Sequence, residues 1–171
     1  MIALFPALCY NTKKRRGAAD VWDAILAWTW CLPQNLAGAA LWALCRGKRY
    51  DYRRARVTVW RRKASLSLGR YIFLTDDPLF YYPEQRTAFS PETFARRLLV
   101  HEYGHTVQSR ILGPLYLALV GIPSLVWSFS PRATRRRERE RISYFSAYPE
   151  RWANRLGERC TGEPSIGEPV S

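Results

Sequence analysis

Two histidines stand four residues apart in the run His101-Glu102-Tyr103-Gly104-His105, and they are the only two in 171 residues. On a helix that spacing is a little over one turn, so both imidazoles leave from one face and can share a metal ion. Glu102 lies beside them, where a carboxylate can take a proton from an activated water. A catalytic zinc needs a third protein ligand and leaves its fourth position to water. The best candidate is Glu150, in Tyr148-Pro149-Glu150-Arg151-Trp152-Ala153-Asn154-Arg155-Leu156-Gly157. Pro149 starts a helix, which puts Glu150 near its beginning and Asn154 one turn on, on the same face. From there Asn154 can orient a histidine through its outer ring nitrogen. Cys160, Glu158 and Asp77 are the rival ligands. Hydrolysis would also need a donor for the developing oxyanion, and Tyr144, Tyr148 and Arg155 are the available choices.

These groups need a rigid support, and the sequence marks both ends of one. Over residues 91–112 a helix is expected, with Ser90 as its cap, Pro91 in its first turn and Glu92 at the positive end of its dipole. Gly113 supplies the stop and Pro114 forbids continuation. Val100, Tyr103, Val107 and Ile111 form a core-facing stripe, leaving the histidine side for chemistry. Gly104, one turn from both histidines, permits the close approach of another backbone.

Strands are expected over residues 56–75. Arg56 to Trp60 alternates, Ala64, Leu66 and Leu68 share one face with Ser65 and Ser67 on the other, and residues 70–74 read as a buried strand. The Asp76-Asp77-Pro78 turn ends them. A small antiparallel sheet thus precedes the metal helix, and the basic run over residues 46–56 reads as a hinge. The expected class is α+β: one mainly helical domain over residues 1–160, with a third-ligand helix at 149–158 and a Gly/Pro/Glu-rich flexible tail at 161–171.

Residues 18–46 are the most hydrophobic stretch. Pro33-Gln34-Asn35 divides it into two helices, each short of the ~20 residues that cross a bilayer. They belong either in the core or at a membrane interface, with Trp22, Trp28, Trp30 and Trp42 at headgroup level. Residues 115–127 are apolar too, broken by Gly121 and Pro123. Arg136 and Glu140, four apart, suit a solvated helical face over residues 132–141. The first 75 residues carry 14 Lys and Arg against 3 acids, and the whole chain has a net charge of +13. That balance points to an anionic partner. Lys13 to Arg16 follow the apolar opening instead of preceding it, so no signal peptide is expected. Four scattered cysteines without a Cys-x-x-Cys pair argue against a cysteine-rich zinc module, and two lie in apolar stretches that suit free thiols, so a reducing compartment is expected.

His101-Glu102-x-x-His105 followed by Glu150-x-x-Ala153-Asn154-x-x-Gly157 resembles the gluzincin branch of zinc metallopeptidases. The second motif there is typically Glu-x-x-x-Asp, often Glu-x-x-Ala-Asp-x-x-Gly in membrane-associated members. The likeness covers residues 101–105 and 150–157, and departs at Asn154, where an amide replaces the usual carboxylate. The longer run His101 to Ser109, with Gly113 to Leu117 and Gly121 to Ser124, is also similar to small bacterial proteins. The resemblance implies a zincin-like domain binding Zn2+ through His101, His105 and Glu150, with Glu102 as general base and a peptide or protein as substrate. In this architecture an edge strand commonly aligns an extended substrate. The expected place of work is the cytoplasmic face of a membrane with anionic lipid as partner. The competing expectations are a non-catalytic, zinc-stabilised membrane-associated protein and a basic nucleic-acid binder. Nucleic acid is the less expected partner, because no binding motif accompanies the charge.

Overall fold

The computed structural model describes residues 18–81 and 88–166. The Lys13 to Arg16 cluster and residues 167–171 lie outside them. Two helices, α1 (Ala18–Trp28) and α2 (Leu32–Leu44), lead into strands β1 (Lys48–Tyr52), β2 (Ala55–Trp60), β3 (Leu66–Leu68) and β4 (Tyr71–Thr75). A short α3 (Pro78–Tyr81) follows, then the long α4 (Pro91–Leu112). After a 3-10 turn (Gly113–Leu115) and a π-helical turn (Leu117–Gly121) come α5 (Ile122–Phe129), α6 (Pro131–Glu140) and α7 (Tyr148–Thr161). The fold is α+β.

The sheet has the order β1-β2-β4-β3. Its outer pairs are antiparallel, but β2 and β4 run parallel, so the sheet is mixed and not the antiparallel one expected. The reason lies in burial. All five residues of β4 are buried, which suits an interior position, whereas the three-residue β3 serves as an edge. The basic run read as a hinge is partly strand. β1 is an exposed edge whose burial does not alternate, which removes the period-two signal from its sequence. Arg49 on β1 lies over the ring of Trp42 at 4.0 Å and donates to the carbonyls of Trp42 and Cys45, closing the C-terminal end of α2.

Strand alternation then separates two cores. Ala55, Val57, Ile72 and Leu74 meet Phe94, Leu98, Tyr103 and Val107 of α4 on one side of the sheet. Trp60, Tyr71 and Phe73 meet Ala39, Leu41 and Trp42 of α2 on the other. Burying side chains of this size contributes roughly 1.5–3 kcal/mol each. The sheet is therefore enclosed between α2 and α4.

The break between α1 and α2 falls at residues 29–31, not at Pro33-Gln34-Asn35 as expected. Pro33 sits in the first turn of α2, where its missing N–H costs nothing. Gln34 and Asn35 are buried anchors. Gln34 donates to Ser109 Oγ and to the Gly113 carbonyl, both at 2.9 Å, and Asn35 accepts the Arg70 N–H at 2.8 Å. With Trp30 donating to the Arg110 carbonyl, this bend satisfies free carbonyls at the end of α4.

The marks on α4 are realised as read. Ser90 Oγ accepts the Thr93 N–H, Pro91 and Glu92 occupy the first turn, and Gly113 stops the helix at φ +54°. Its chemistry side, however, is not open to solvent, because every residue from Leu98 to Ser109 is buried. Beyond Gly113 the axis turns through 120°. The segment expected to break at Gly121 and Pro123 instead runs helically into α5, where Pro123 again occupies a first turn. On α6 the Arg136–Glu140 pair forms at 2.9 Å on an exposed face. The loose tail does not begin at residue 161: Ser165 and Ile166 are buried, and Ile166 belongs to the α4 core.

Candidate metal centre

α4 and α7 cross with their backbones nearly touching. A Cβ on Gly104 would stand 1.9 Å from the Ala153 carbonyl oxygen, and one on Gly157 would stand 2.2 Å from that of Val100. Two glycines thus hold the helices close enough for Glu150, in the first turn of α7, to reach both histidines. Oε2 of Glu150 lies 3.2 Å from Nε2 of His101 and 3.2 Å from Nε2 of His105. All three side chains are buried, and their ligand atoms lie within 4.8 Å of one another.

Hydrogen bonds aim the rings. Asn154 Nδ2 donates to the Ile166 carbonyl, which turns Oδ1 toward Nδ1 of His101 at 2.8 Å. Gln108 does the same for His105: Nε2 donates to the Pro149 carbonyl, and Oε1 meets Nδ1 at 2.7 Å. With each amide oxygen placed to accept an Nδ1–H, each ring when neutral keeps its lone pair on Nε2, and both Nε2 atoms face the same carboxylate oxygen. Three electron-rich atoms facing one another out of water repel unless a cation stands between them. Ligands bound to one tetrahedral ion at ~2.0–2.1 Å are separated by about 3.3 Å, close to the 3.2 Å from Glu150 to each imidazole. Two imidazoles and a carboxylate thus form a buried group that could hold a metal ion.

The electrostatics record the same demand. Burial works against a charged His105, but the Glu150 carboxylate more than reverses it and raises the pKa to about 9. Burial likewise pushes Glu150 upward, and the two imidazoles overcome it, holding the acid well below the usual carboxylate range. Glu102 shifts the other way. Its desolvation outweighs the histidines and the Ser67 hydroxyl, so its pKa is raised.

Ser124 Oγ donates to the second oxygen of Glu150 at 2.6 Å, and Ser67 Oγ lies 2.7 Å from Oε2 of Glu102. Glu102 and the triad open into a cavity of about 1150 Å³. Its walls are β3 on one side, with Leu117, Ile122, Leu125 and Phe129 on the other.

The expected roles divide clearly in space. His101, Glu102, His105, Glu150 and Asn154 converge. Of the oxyanion candidates, Tyr144 reaches the cavity, bonded to Ser124 and Ser128. Tyr148 is exposed and donates to the Leu119 carbonyl, and Arg155 is exposed, so neither lines the cavity. Among the rivals, Cys160 lies in the α4 core, ten residues or about 15 Å along α7 from Glu150. It is disulfide-bonded, whereas Cys31 and Cys45 of the apolar stretch keep their thiols, as expected. Glu158 binds the Ser165 hydroxyl, and Asp77 closes the turn after β4.

Four residues at the site were not anticipated. Gln108 was legible, three positions after His105 and hence on a neighbouring face of the helix. Ser67 followed from alternation once its partner was known: it pairs with Ile72, whose face packs on α4. Ser124 and the buried Tyr116 carry no local signal, because the turn after Gly113 brings them in. Comparison with protein-family models, with curated proteins and with solved structures finds no match to this chain.

Proposed function

We propose that the chain is a zinc-dependent metallopeptidase in which His101, His105 and Glu150 hold the ion and Glu102 is the general base. The observation that carries the reading is the pairing of two environments. A buried, oriented His–His–carboxylate group lies beside a separate buried carboxylate with a raised pKa, and both face one large cavity. A purely structural ion needs neither the second carboxylate nor the space.

Two nitrogen donors and one carboxylate suit zinc, and three protein ligands leave a position for substrate or water. Bound there, zinc supplies Lewis-acid activation of water and of a carbonyl. Glu102 accepts the proton of the attacking water and delivers it to the leaving amine. Ser67 keeps its carboxylate oriented through Oε2. Tyr144, with its hydroxyl between Ser124 and Ser128, is the donor available to a developing oxyanion. The outer edge of β3 borders the cavity and can pair with an extended peptide.

The test is Glu102→Gln. Zinc content by mass spectrometry should stay near one per chain, while cleavage of a library of unstructured peptides falls by at least about 1000-fold. Zinc-replete wild-type protein that cleaves nothing in the library would make the centre a structural pin.

A further inference from the structure

Two parts of the fold turn large apolar side chains outward. On α1, Val21, Trp22, Ile25 and Trp28 are all exposed, Trp22 by 65%. On α5 no residue is buried, and Ile122, Leu125, Val126 and Phe129 are each more than half exposed. Trp30, two residues after α1, packs against the end of α4. Its indole donates to the Arg110 carbonyl and its ring crowds Gly113, just before exposed Leu115. An apolar surface on this scale is an interaction site or a liability to aggregation.

We propose that this surface seats the protein on an anionic lipid leaflet. Exposed cations stand beside α5: α6, directly after it, carries five arginines, all but Arg137 exposed, against Glu138 and Glu140. Arg46, Lys48 and Arg49, all exposed, follow the α1–α2 pair in the chain. A second copy of the chain would bring the same net charge of +13 and be repelled. A leaflet instead offers phosphate beside hydrocarbon, matching cations beside apolar side chains. Trp22, Trp28 and Trp30 have the amphipathic rings that settle at headgroup depth. No single described helix is long and apolar enough to cross a membrane; in the proposed seating α1 and α5 lie on the leaflet with their exposed faces in the headgroup boundary.

Leu125 and Phe129 also line the cavity above the histidines, with Ser124 and Ser128, so the exposed apolar face of α5 reaches the cavity rim. Docking therefore brings the cavity mouth to the lipid interface. Resting on the peptidase reading, the substrate is a peptide segment lying at, or emerging from, the leaflet.

Flotation of the full chain with phosphatidylcholine vesicles, with and without phosphatidylglycerol, tests the docking. Binding should require the anionic lipid, survive in part at high salt and be released by detergent. Two variants, Trp22→Glu with Ile25→Glu and Leu119→Glu with Val126→Glu, change exposed positions outside the cavity lining. Each should keep its circular dichroism and zinc content while partitioning at least about tenfold more weakly. Wild-type protein that stays unbound with anionic vesicles at low salt overturns the proposal, as does binding that both variants retain. A concentration-dependent dimer in sedimentation, lost in these variants and unaccompanied by vesicle binding, assigns the surface to a second copy. Wild-type protein that does not float but holds zinc and cleaves peptide rejects only the docking. Flotation without zinc or cleavage rejects only the peptidase.

Discussion

Asn154 Oδ1 lies 2.8 Å from Nδ1 of His101, and the same amide gives its N–H to the Ile166 carbonyl. One side chain thus ties α4, α7 and the end of the described chain together. An aspartate here, as in the gluzincin pattern, would accept the histidine proton more strongly but could not donate to Ile166. Asn154→Asp is therefore expected to hold zinc at least as tightly while losing about 1–3 kcal/mol of metal-free stability, because one buried carbonyl loses its donor. Asn154→Ala should weaken zinc about 10–100-fold. Chelator competition and urea unfolding measure the two effects, and equal affinity in all three proteins would deny Asn154 its orienting role.

In metal-free protein the His105–Glu150 pair makes stability depend on pH at both ends. His105 has its folded pKa raised from 6.5 to about 9, so its contribution is fully present below pH 6.5 and is lost as pH rises through about 9. Glu150 has its folded pKa lowered from 4.5, so its contribution is present above that value and is lost as pH falls through the lowered one. Unfolding in chelator should show declining stability from pH 6.5 to 9, and Glu150→Gln should remove most of that slope. Zinc should abolish it too, because the ion replaces the proton between the ligands. A flat metal-free profile over this range would contradict the coupling.

Gly104→Ala tests the helix crossing that assembles the triad. Its methyl would meet the Ala153 carbonyl oxygen at 1.9 Å, and backbone cannot move aside as a side-chain tip can. The expected loss is about 3 kcal/mol or more, together with zinc affinity, since Glu150 retreats with α7. Gly121→Ala is the control. Its nearest neighbour would be 3.6 Å away, and the change should be neutral or stabilising by up to about 1 kcal/mol. Calorimetry of the two variants distinguishes a specific crossing from a general intolerance of change.

Ser67→Ala removes one of the interactions that keep Glu102 acidic. Desolvation already raises this carboxyl, and losing the hydroxyl should raise it further. The acid limb of the cleavage profile should move to higher pH while zinc content stays unchanged. A limb that stays in place would show that Glu102 is not the group titrating there.

Helix α4 was legible from sequence because its determinants are local. A capping serine, a first-turn proline, a stop glycine and two histidines one turn apart act within a few residues of each other. The same holds for the Glu150 to Gly157 helix, and the structure adds the meaning of its other positions. Ala153 and Gly157 form the crossing, and Asn154 holds a ring. The chemistry expected of His101, His105 and Glu150 thus followed from residue types and spacing alone.

Tertiary structure decided what depends on partners distant in the chain. β4 pairs parallel with β2 because its all-buried residues belong in the interior of the sheet, and no local pattern records that choice. Pro33-Gln34-Asn35 looks like a break by composition, yet Gln34 and Asn35 are paid for by hydrogen bonds to residues 109, 113 and 70. Ser67 and Ser124 are ordinary polar residues until strand register and the 120° turn place them on Glu102 and Glu150. The sequence alone determined the two histidines and a short list for the third ligand, because ligand chemistry belongs to the side chain, and the fold chose Glu150 from that list. Which groups surround them, and which apolar faces stay in water, only the packing of α4 against α7, β3 and α5 decided, because burial and orientation are properties of contacts between segments far apart in the chain.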